Sequence, residues 1–383
     1  MTRDRHLAGR PCYLDYNAGA PIRPAVAEAV SAALARTGNP SSVHRFGRLA
    51  RRAVEDARAE VAALVGARPG EVVFTGSGSE ANNLALRGTG RRPVVAAIEH
   101  DSVLRAAPDA TPVAVDEEGA VDLAALDRAL AAEPAPALVS VMLANNETGV
   151  VQPIAEVFRV ARAHGALVHC DAVQAASRMA IERDALGVDL LTLSAHKLGG
   201  PQGVGALVVS GDLALAPLIR GGGQEMRRRA GTENVAGIVG FGVAARLAAA
   251  DLDRTADWAT LRDRIEQRLR ALAPELRVFG AGAARLCNTT CLTMPGVAAE
   301  TQVMALDLAG VAVGAGAACS SGKVGPSHVL AAMGAPPAEA ACAIRVSLGW
   351  ASEAGDIERL VDAWGRLHAR TRRRGRDARP ATG

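Results

Sequence analysis

Of the 43 basic residues in this chain only two are lysines, Lys197 and Lys323; the other 41 are arginine. An arginine guanidinium stays protonated near neutral pH and forms no Schiff base, so any amine chemistry rests on those two positions. Lys197 stands in the run Leu191-Thr192-Leu193-Ser194-Ala195-His196-Lys197-Leu198-Gly199-Gly200-Pro201, after an apolar stretch and before a Gly/Pro-rich turn. In a low-dielectric pocket its pKa falls and the neutral amine can attack a carbonyl. A surface lysine in a loop is the plain alternative, and it sits poorly with so strong a preference for arginine elsewhere.

Three further clusters carry chemistry. Asp171 closes the apolar run Ala166-Leu167-Val168-His169-Cys170-Asp171. A carboxylate there needs a cation or hydrogen-bond donors, as the counter-ion of a protonated ring nitrogen or as an ordinary helix N-cap. Phe74-Thr75-Gly76-Ser77-Gly78-Ser79-Glu80-Ala81 reads as a strand, a Gly-rich turn and a helix start, a setting for phosphate at a helix N-terminus. A helix capped by Ser79 explains the same residues, and GSGSEA also fits a dinucleotide fingerprint with Glu99 near the place of a ribose-binding acid. Cys319 lies in a run of small residues, 313–322, with Lys323 and His328 nearby to favour its thiolate. The remaining cysteines, Cys12, Cys170, Cys287, Cys291 and Cys342, read as small buried hydrophobes. Phosphate anchor, ring counter-ion and activated lysine together are the needs of a pyridoxal 5'-phosphate (PLP) site. Hydride transfer on a nicotinamide needs neither Asp171 nor Lys197, which sets the dinucleotide reading aside.

These residues have to be carried by elements that bring them to one edge. From about residue 70 to 210 short β-branched runs alternate with amphipathic stretches, the pattern of βαβ units on a parallel sheet. Strands are expected at 71–75, 94–98, 137–143, 166–170, 190–194 and 204–209, with helices at 79–87 and 154–164. The polar clusters then fall at strand C-terminal ends, the edge where open α/β sheets bind ligands. Residues 251–276 predict a long exposed helix, after which shorter elements indicate a smaller α+β unit. The expected division is a large domain, 16–250, and a small one, 251–383 with 1–15.

With 383 residues, 49% apolar and 22% charged, the chain has room for two domains with buried cores. No apolar stretch approaches the roughly 18–20 residues that cross a bilayer, and no apolar leader segment is visible; a soluble, cytoplasmic protein with no membrane partner is expected. Six Arg and one Asp follow from residue 370 onward. The net charge of +3 is therefore concentrated in the tail, and the body has no nucleic-acid footprint. Six cysteines without a CxxC pair argue for reduced thiols and no resident metal.

Taken in order, the motifs resemble the cysteine desulfurases of the NifS/IscS type, within the class V, fold-type I PLP enzymes. The resemblance runs from Tyr13 to about Leu348. It is carried by YLDYNAGAP (13–21), NPSSVHRFG (39–47), FTGSGSEANNLAL (74–86), EH (99–100), NNETGVVQPI (145–154), HCDAVQA (169–175), SAHKLGGPQGVGAL (194–207), GGGQEMRRRAGTEN (221–234), ACSSGKVGPSHVL (318–330) and IRVSLG (344–349). It implies a mostly parallel seven-stranded sheet flanked by helices, plus the smaller α+β domain.

By position, the resemblance implies that Lys197 binds PLP covalently and Asp171 pairs with its pyridine nitrogen. His100 stacks on the ring and moves protons, Gln174 and Asn146 bond ring or substrate oxygens, and Gly78, Ser79, Ser194 and His196 hold the phosphate. Thr232 reaches the phosphate of a second subunit, so a homodimer follows, and Arg345 clamps the carboxylate of L-cysteine. Cys319 takes the substrate sulfur as a persulfide, L-alanine leaves, and the sulfur passes to an acceptor protein such as an iron–sulfur scaffold, with which Cys319 could share a cluster. Departures are NAGA (17–20) for Asn-Ala-Thr-Thr, Gly78-Ser79 for Ala-Thr, Ala195 for Gly, Gly325 for Glu, and an Arg-rich tail in place of a scaffold-contacting end. The alternatives are another class V enzyme, such as a selenocysteine lyase or an aminotransferase, and a catalytically silent sulfur-transfer scaffold. The nucleophile Cys319 distinguishes the first, and the intact set Lys197, Asp171, His100, Cys319 and Arg345 argues against the second.

Overall fold

The computed structural model describes residues 11–211, 213–315 and 326–377, with 374–377 by backbone alone. Its strands are β1 Cys12–Tyr13, β2 Val72–Thr75, β3 Arg92–Ala96, β4 Thr111–Val113, β5 Ala137–Ser140, β6 Leu167–Asp171, β7 Leu190–Ser194, β8 Gly205–Val209, β9 Thr289–Thr293, β10 Val311–Ala312, β11 Gly314–Ala315 and β12 Ala343–Ser347. Seven of them form one sheet in the order β2-β8-β7-β6-β5-β3-β4. The pairs from β7 through β4 are parallel, and β8 alone runs against both its neighbours.

Strands β5 to β8 are buried along their whole length, which is why they read as unbroken apolar runs rather than alternating ones. Six of the sheet strands fall where the sequence places them. The seventh, β4, is three residues with Pro112 at its centre on the sheet edge, a position where the missing N–H costs nothing. On one face, helices Pro24–Leu34 and Arg45–Ala63 pack against Val235–Ala250. Ile238, Phe241, Ala244, Ala245 and Ala248 make this apolar helix a core element. Gly242 lets it close in, because a Cβ there would stand 2.7 Å from Ala57 Cα.

A second core gathers Cys12 and Leu14 with Ile265, Leu269, Leu292, Ile344, Val346 and Trp364. It forms around the antiparallel sheet β11-β12-β9 and the parallel pair β1-β10. The helix expected to lie exposed at 251–276 is instead a short 3-10 turn followed by Thr255–Leu272, with Trp258, Ile265 and Leu269 buried. Its apolar residues recur at helical spacing beneath a dense charge pattern, so one stripe is core and the rest is wet.

Candidate active site

At the C-terminal edge of the parallel strands lies a cavity of about 190 Å³ whose wall includes Gly78, Ser79, His100, Asn146, Asp171, Gln174, Ser194, His196 and Lys197. Asp171, at the end of β6, accepts from Asn82 Nδ2 at 2.8 Å through Oδ2 and from the Val173 amide at 2.9 Å through Oδ1. Lys197 closes a 3-10 turn directly after β7. Its Nζ donates to the Asn17 and Ala18 carbonyls at 2.5 and 2.9 Å. Burial first, then the charges of Arg345 and Arg178, bring its pKa from 10.5 to about 7.

The phosphate end of the cavity is built from the start of helix Gly78–Gly88. Ser77, not Ser79, is its N-cap, accepting from the Glu80 amide at 3.1 Å. The cap therefore falls two residues earlier than the plain reading of the motif places it, and Ser79 stands in the first turn on the cavity wall. Small residues are required here by contact. A Cβ on Gly78 would lie 3.1 Å from Val173 Cγ2, and one on Gly205 at the start of β8 only 2.5 Å from the Ser77 carbonyl carbon. Ser194 Oγ bonds His196 Nδ1 at 2.9 Å. Burial, with Lys197 and His100 adding, takes the His196 pKa to about 4, so at neutral pH it works as an uncharged donor.

His100 stands at the open rim as N-cap of the turn Asp101–Leu104. Its Nδ1 accepts from the Ser102 amide at 3.1 Å and lies 2.8 Å from Ser102 Oγ. Asn82 Nδ2 donates to the same hydroxyl at 2.8 Å. Desolvation lowers the His100 pKa. With Nδ1 occupied, Nε2 is the nitrogen left to pass a proton.

The donor set and the close approaches fit PLP. The site offers an amine of near-neutral pKa, a carboxylate held by two donors, a cradle that a Cβ would fill, and Asn82 Oδ1, which is buried with no partner among the described residues. Two expected residues stand outside this wall. Arg345 is one carbonyl away: Nη1 donates to Asn146 O at 3.0 Å and Nη2 to Asp15 Oδ1 at 2.7 Å. Thr232 is exposed on the segment after Arg229 and does not line the cavity. Cys319, like Lys323, lies outside the described residues.

Sequence reading missed the polar residues that tie the site together. The Asn17 carbonyl accepts from both Lys197 Nζ and Gln174 Nε2, while Asn17 Nδ2 donates to Asn146 O, the oxygen that also receives Arg345. Asn82 is visible in hindsight three residues beyond Ser79 on the same helical face. Three histidines outside the cavity wall make local structural contacts. His44 caps the helix Arg45–Ala63 by accepting from Gly47 N. Ser327, not His328, caps the turn His328–Ala332, and His328 Nε2 bonds the Glu99 carbonyl. His169 sits between Ser140 and Thr192 hydroxyls as a buried structural residue.

A mostly parallel sheet with a lysine, an aspartate and a small-residue phosphate cradle converging at its C-terminal edge defines a PLP-dependent enzyme. The family model described as aminotransferase class-V matches residues 12–360. A relative described as cysteine desulfurase IscS from Dictyoglomus turgidum is 39% identical over 374 residues, covering 94% of each chain. The X-ray structure of a NifS-like protein from Rickettsia africae superposes with a TM-score of 0.88 at 35% identity, covering 94% of this chain and all of that one. A structure of SspA in complex with cysteine gives a TM-score of 0.74 at 31% identity over 88% of this chain and 98% of its own. The chain belongs to the aminotransferase class-V family and, within it, to the PLP-dependent cysteine desulfurases.

Proposed function

We propose that this cysteine desulfurase takes the sulfur of L-cysteine onto Cys319 as a persulfide, releases L-alanine and hands the sulfur to an acceptor protein. The observation that carries the reading is the convergence of Lys197, Asp171 and the Gly78–Ser79 cradle on one cavity, with Arg345 a single carbonyl away. Bound PLP supplies an electron sink conjugated to the substrate α-carbon. Lys197 would hold the cofactor carbonyl, its near-neutral pKa keeping a share of the amine unprotonated and able to move a proton at Nζ. Asp171 would hold the ring nitrogen proton, and His100 Nε2 would carry protons at the rim. Arg345 would bind the substrate carboxylate by its planar fork, with Asn146 beside it. Strand β11 pairs with β12 so that Gly314 faces Arg345, and the Cys319 run follows directly in the chain. The Cys319 thiolate would form its S–S bond to the substrate Sγ as the Cβ–Sγ bond breaks.

The reading extends to a homodimer in which Thr232 completes the partner's phosphate site. Supporting it, Thr232 is exposed and large apolar side chains stand open nearby in sequence and along the helix Arg45–Ala63: Val43 at 88%, Phe46 at 57%, with Leu49, Leu218, Ile219 and Met226. Exposed side chains of this kind are what an interface between two copies would cover. An iron–sulfur scaffold as acceptor, a cytoplasmic location and a domain division near residue 250 belong to the same proposal.

The test is alanine and sulfide production from L-cysteine with reductant, by wild type and Cys319→Ser in parallel. Equal alanine and sulfide from wild type and loss of both in the variant are expected. Normal turnover by Cys319→Ser would overturn the persulfide step, and PLP-loaded wild type that is silent on L-cysteine even with an acceptor would overturn the substrate.

A further inference from the structure

Arg178 is buried under the active site, and among the described residues its guanidinium bonds carbonyl oxygens alone. Nη1 donates to the Gln174 backbone oxygen and to Gln174 Oε1, both at 2.5 Å, and Nη2 to the Tyr16 carbonyl at 3.3 Å. Only 4% of the residue is exposed. A cation so placed is costly to keep, and the reading above uses only its charge near Lys197, not its hydrogen bonds.

A guanidinium has five donors and no acceptor. The Gln174 carboxamide beside it must therefore turn its oxygen toward Arg178 and its NH₂ the other way. That NH₂ has two protons. One goes to the Asn17 carbonyl at 3.0 Å, which leaves the second to donate to a group bound in the cavity that Gln174 lines. The Asn17 carbonyl favours the same orientation, but it is shared with Lys197 Nζ, the group that must move during any reaction. Arg178 is the partner that stays put.

We propose that Arg178 is a positioning residue: it locks the Gln174 carboxamide so that an N–H donor, not an acceptor, faces the ring oxygen of PLP. This rests on the PLP reading of the cavity. A second consequence follows from the same placement. The charged groups around Lys197 are Arg345 and Arg178, which lower its pKa, and Asp15 and Asp171, which raise it; His100 and His196 also face it. Burial lowers the pKa of Arg178 itself only to about 10, so it remains a cation at neutral pH. A donor on the ring oxygen and a fixed cation beneath both favour the unprotonated form of the nitrogen joining Lys197 to the cofactor.

The test uses the full-length, PLP-loaded protein and two spectroscopic readouts that do not depend on turnover: PLP affinity, and the pH midpoint of the visible cofactor band. Arg178→Met is expected to weaken PLP about tenfold, the worth of one oriented hydrogen bond, and to move the band midpoint up by about one pH unit. Arg178→Lys, which keeps the charge and a donor, should restore both. Gln174→Glu gives a reading even where Arg178→Met does not fold: its carboxylate pairs with Arg178 but turns an acceptor toward Asn17 and the cofactor, so PLP affinity should fall about tenfold or more. A folded Arg178→Met with wild-type affinity and midpoint overturns the proposal, as does unchanged affinity in Gln174→Glu. Wild type that binds no PLP overturns the cofactor reading and this proposal with it.

Discussion

Lys197→Met, compared with wild type as PLP-free protein, should change how stability depends on pH. The ammonium is disfavoured in the fold because it is largely buried and faces Arg345 and Arg178, and its pKa falls from 10.5 to about 7. At about 1.4 kcal/mol per pH unit, keeping the charged form folded costs on the order of 5 kcal/mol. The sign follows from proton counting. Between pH 7 and 10.5 the unfolded chain holds a proton that the folded chain has released, so wild-type stability rises with pH across that window. Below about pH 7 both states are protonated and the whole penalty is present. Above the unfolded value it is gone. Methionine carries no charge, so the variant lacks this rise. It should be more stable than wild type in acid, less the hydrogen bonds that Nζ makes to Asn17 and Ala18, worth about 1–3 kcal/mol. Urea midpoints of both proteins from about pH 6 to 10 give the assay, read as a difference at each pH. The difference should shrink by about 1.4 kcal/mol per unit above pH 7. Parallel profiles for the two proteins would refute a depressed Lys197 pKa and with it the near-neutral amine assigned to this site.

Arg345→Lys replaces a planar fork by a point charge; KM for L-cysteine should rise about 10- to 100-fold with kcat far less affected, as loss of carboxylate binding requires. Gly314→Ala places a Cβ 2.7 Å from Asp15 Oδ1 and 2.8 Å from Arg345 Nη2, so it should raise KM while leaving the PLP spectrum unchanged. Arg58→Met breaks a buried bidentate pair, Nη1 and Nη2 to Glu225 at 2.7 and 2.8 Å; a loss of about 3–5 kcal/mol is expected by urea unfolding, together with weakening of the proposed dimer, because Glu225 anchors three residues in the left-handed region, Glu225, Met226 and Arg227. Burial raises the Glu147 pKa from 4.5 to about 7. The folded chain therefore holds the extra proton between those values, stability should fall as pH rises through them, and Glu147→Gln should remove that fall.

Much of the scaffold was legible because buried parallel strands have no choice of composition. The stretch expected at 190–194 coincides with β7, and Lys197 follows it as the spacing predicts. The residues named for the cofactor were those at strand ends, where chain order and spatial order agree. What escaped was pairing across elements. Asn82 on a helix meets Asp171 on a strand 89 positions away, Asn17 joins Lys197 to Asn146, and Arg178 meets Gln174 and Tyr16. None of these contacts has a periodicity, since each depends on which side chains the sheet order brings together. The cap at Ser77 escaped for a different reason: Ser77 and Ser79, separated by one glycine, offer equivalent hydroxyls, and only the backbone angle selects one.

The reversed direction of β8 has a consequence for Lys197. Had that strand been parallel, the chain leaving β7 would have crossed the whole sheet before returning. Instead β7 ends at Ser194 and β8 begins at Gly205, paired with each other at the same edge. The lysine therefore hangs on a short bridge with both abutments in the same wall, and its amine can travel by side-chain rotation but scarcely by backbone drift. Cutting that bridge, for example by a circular permutation that opens the chain within 201–203, would leave the sheet its strands and convert a two-point suspension into a cantilever.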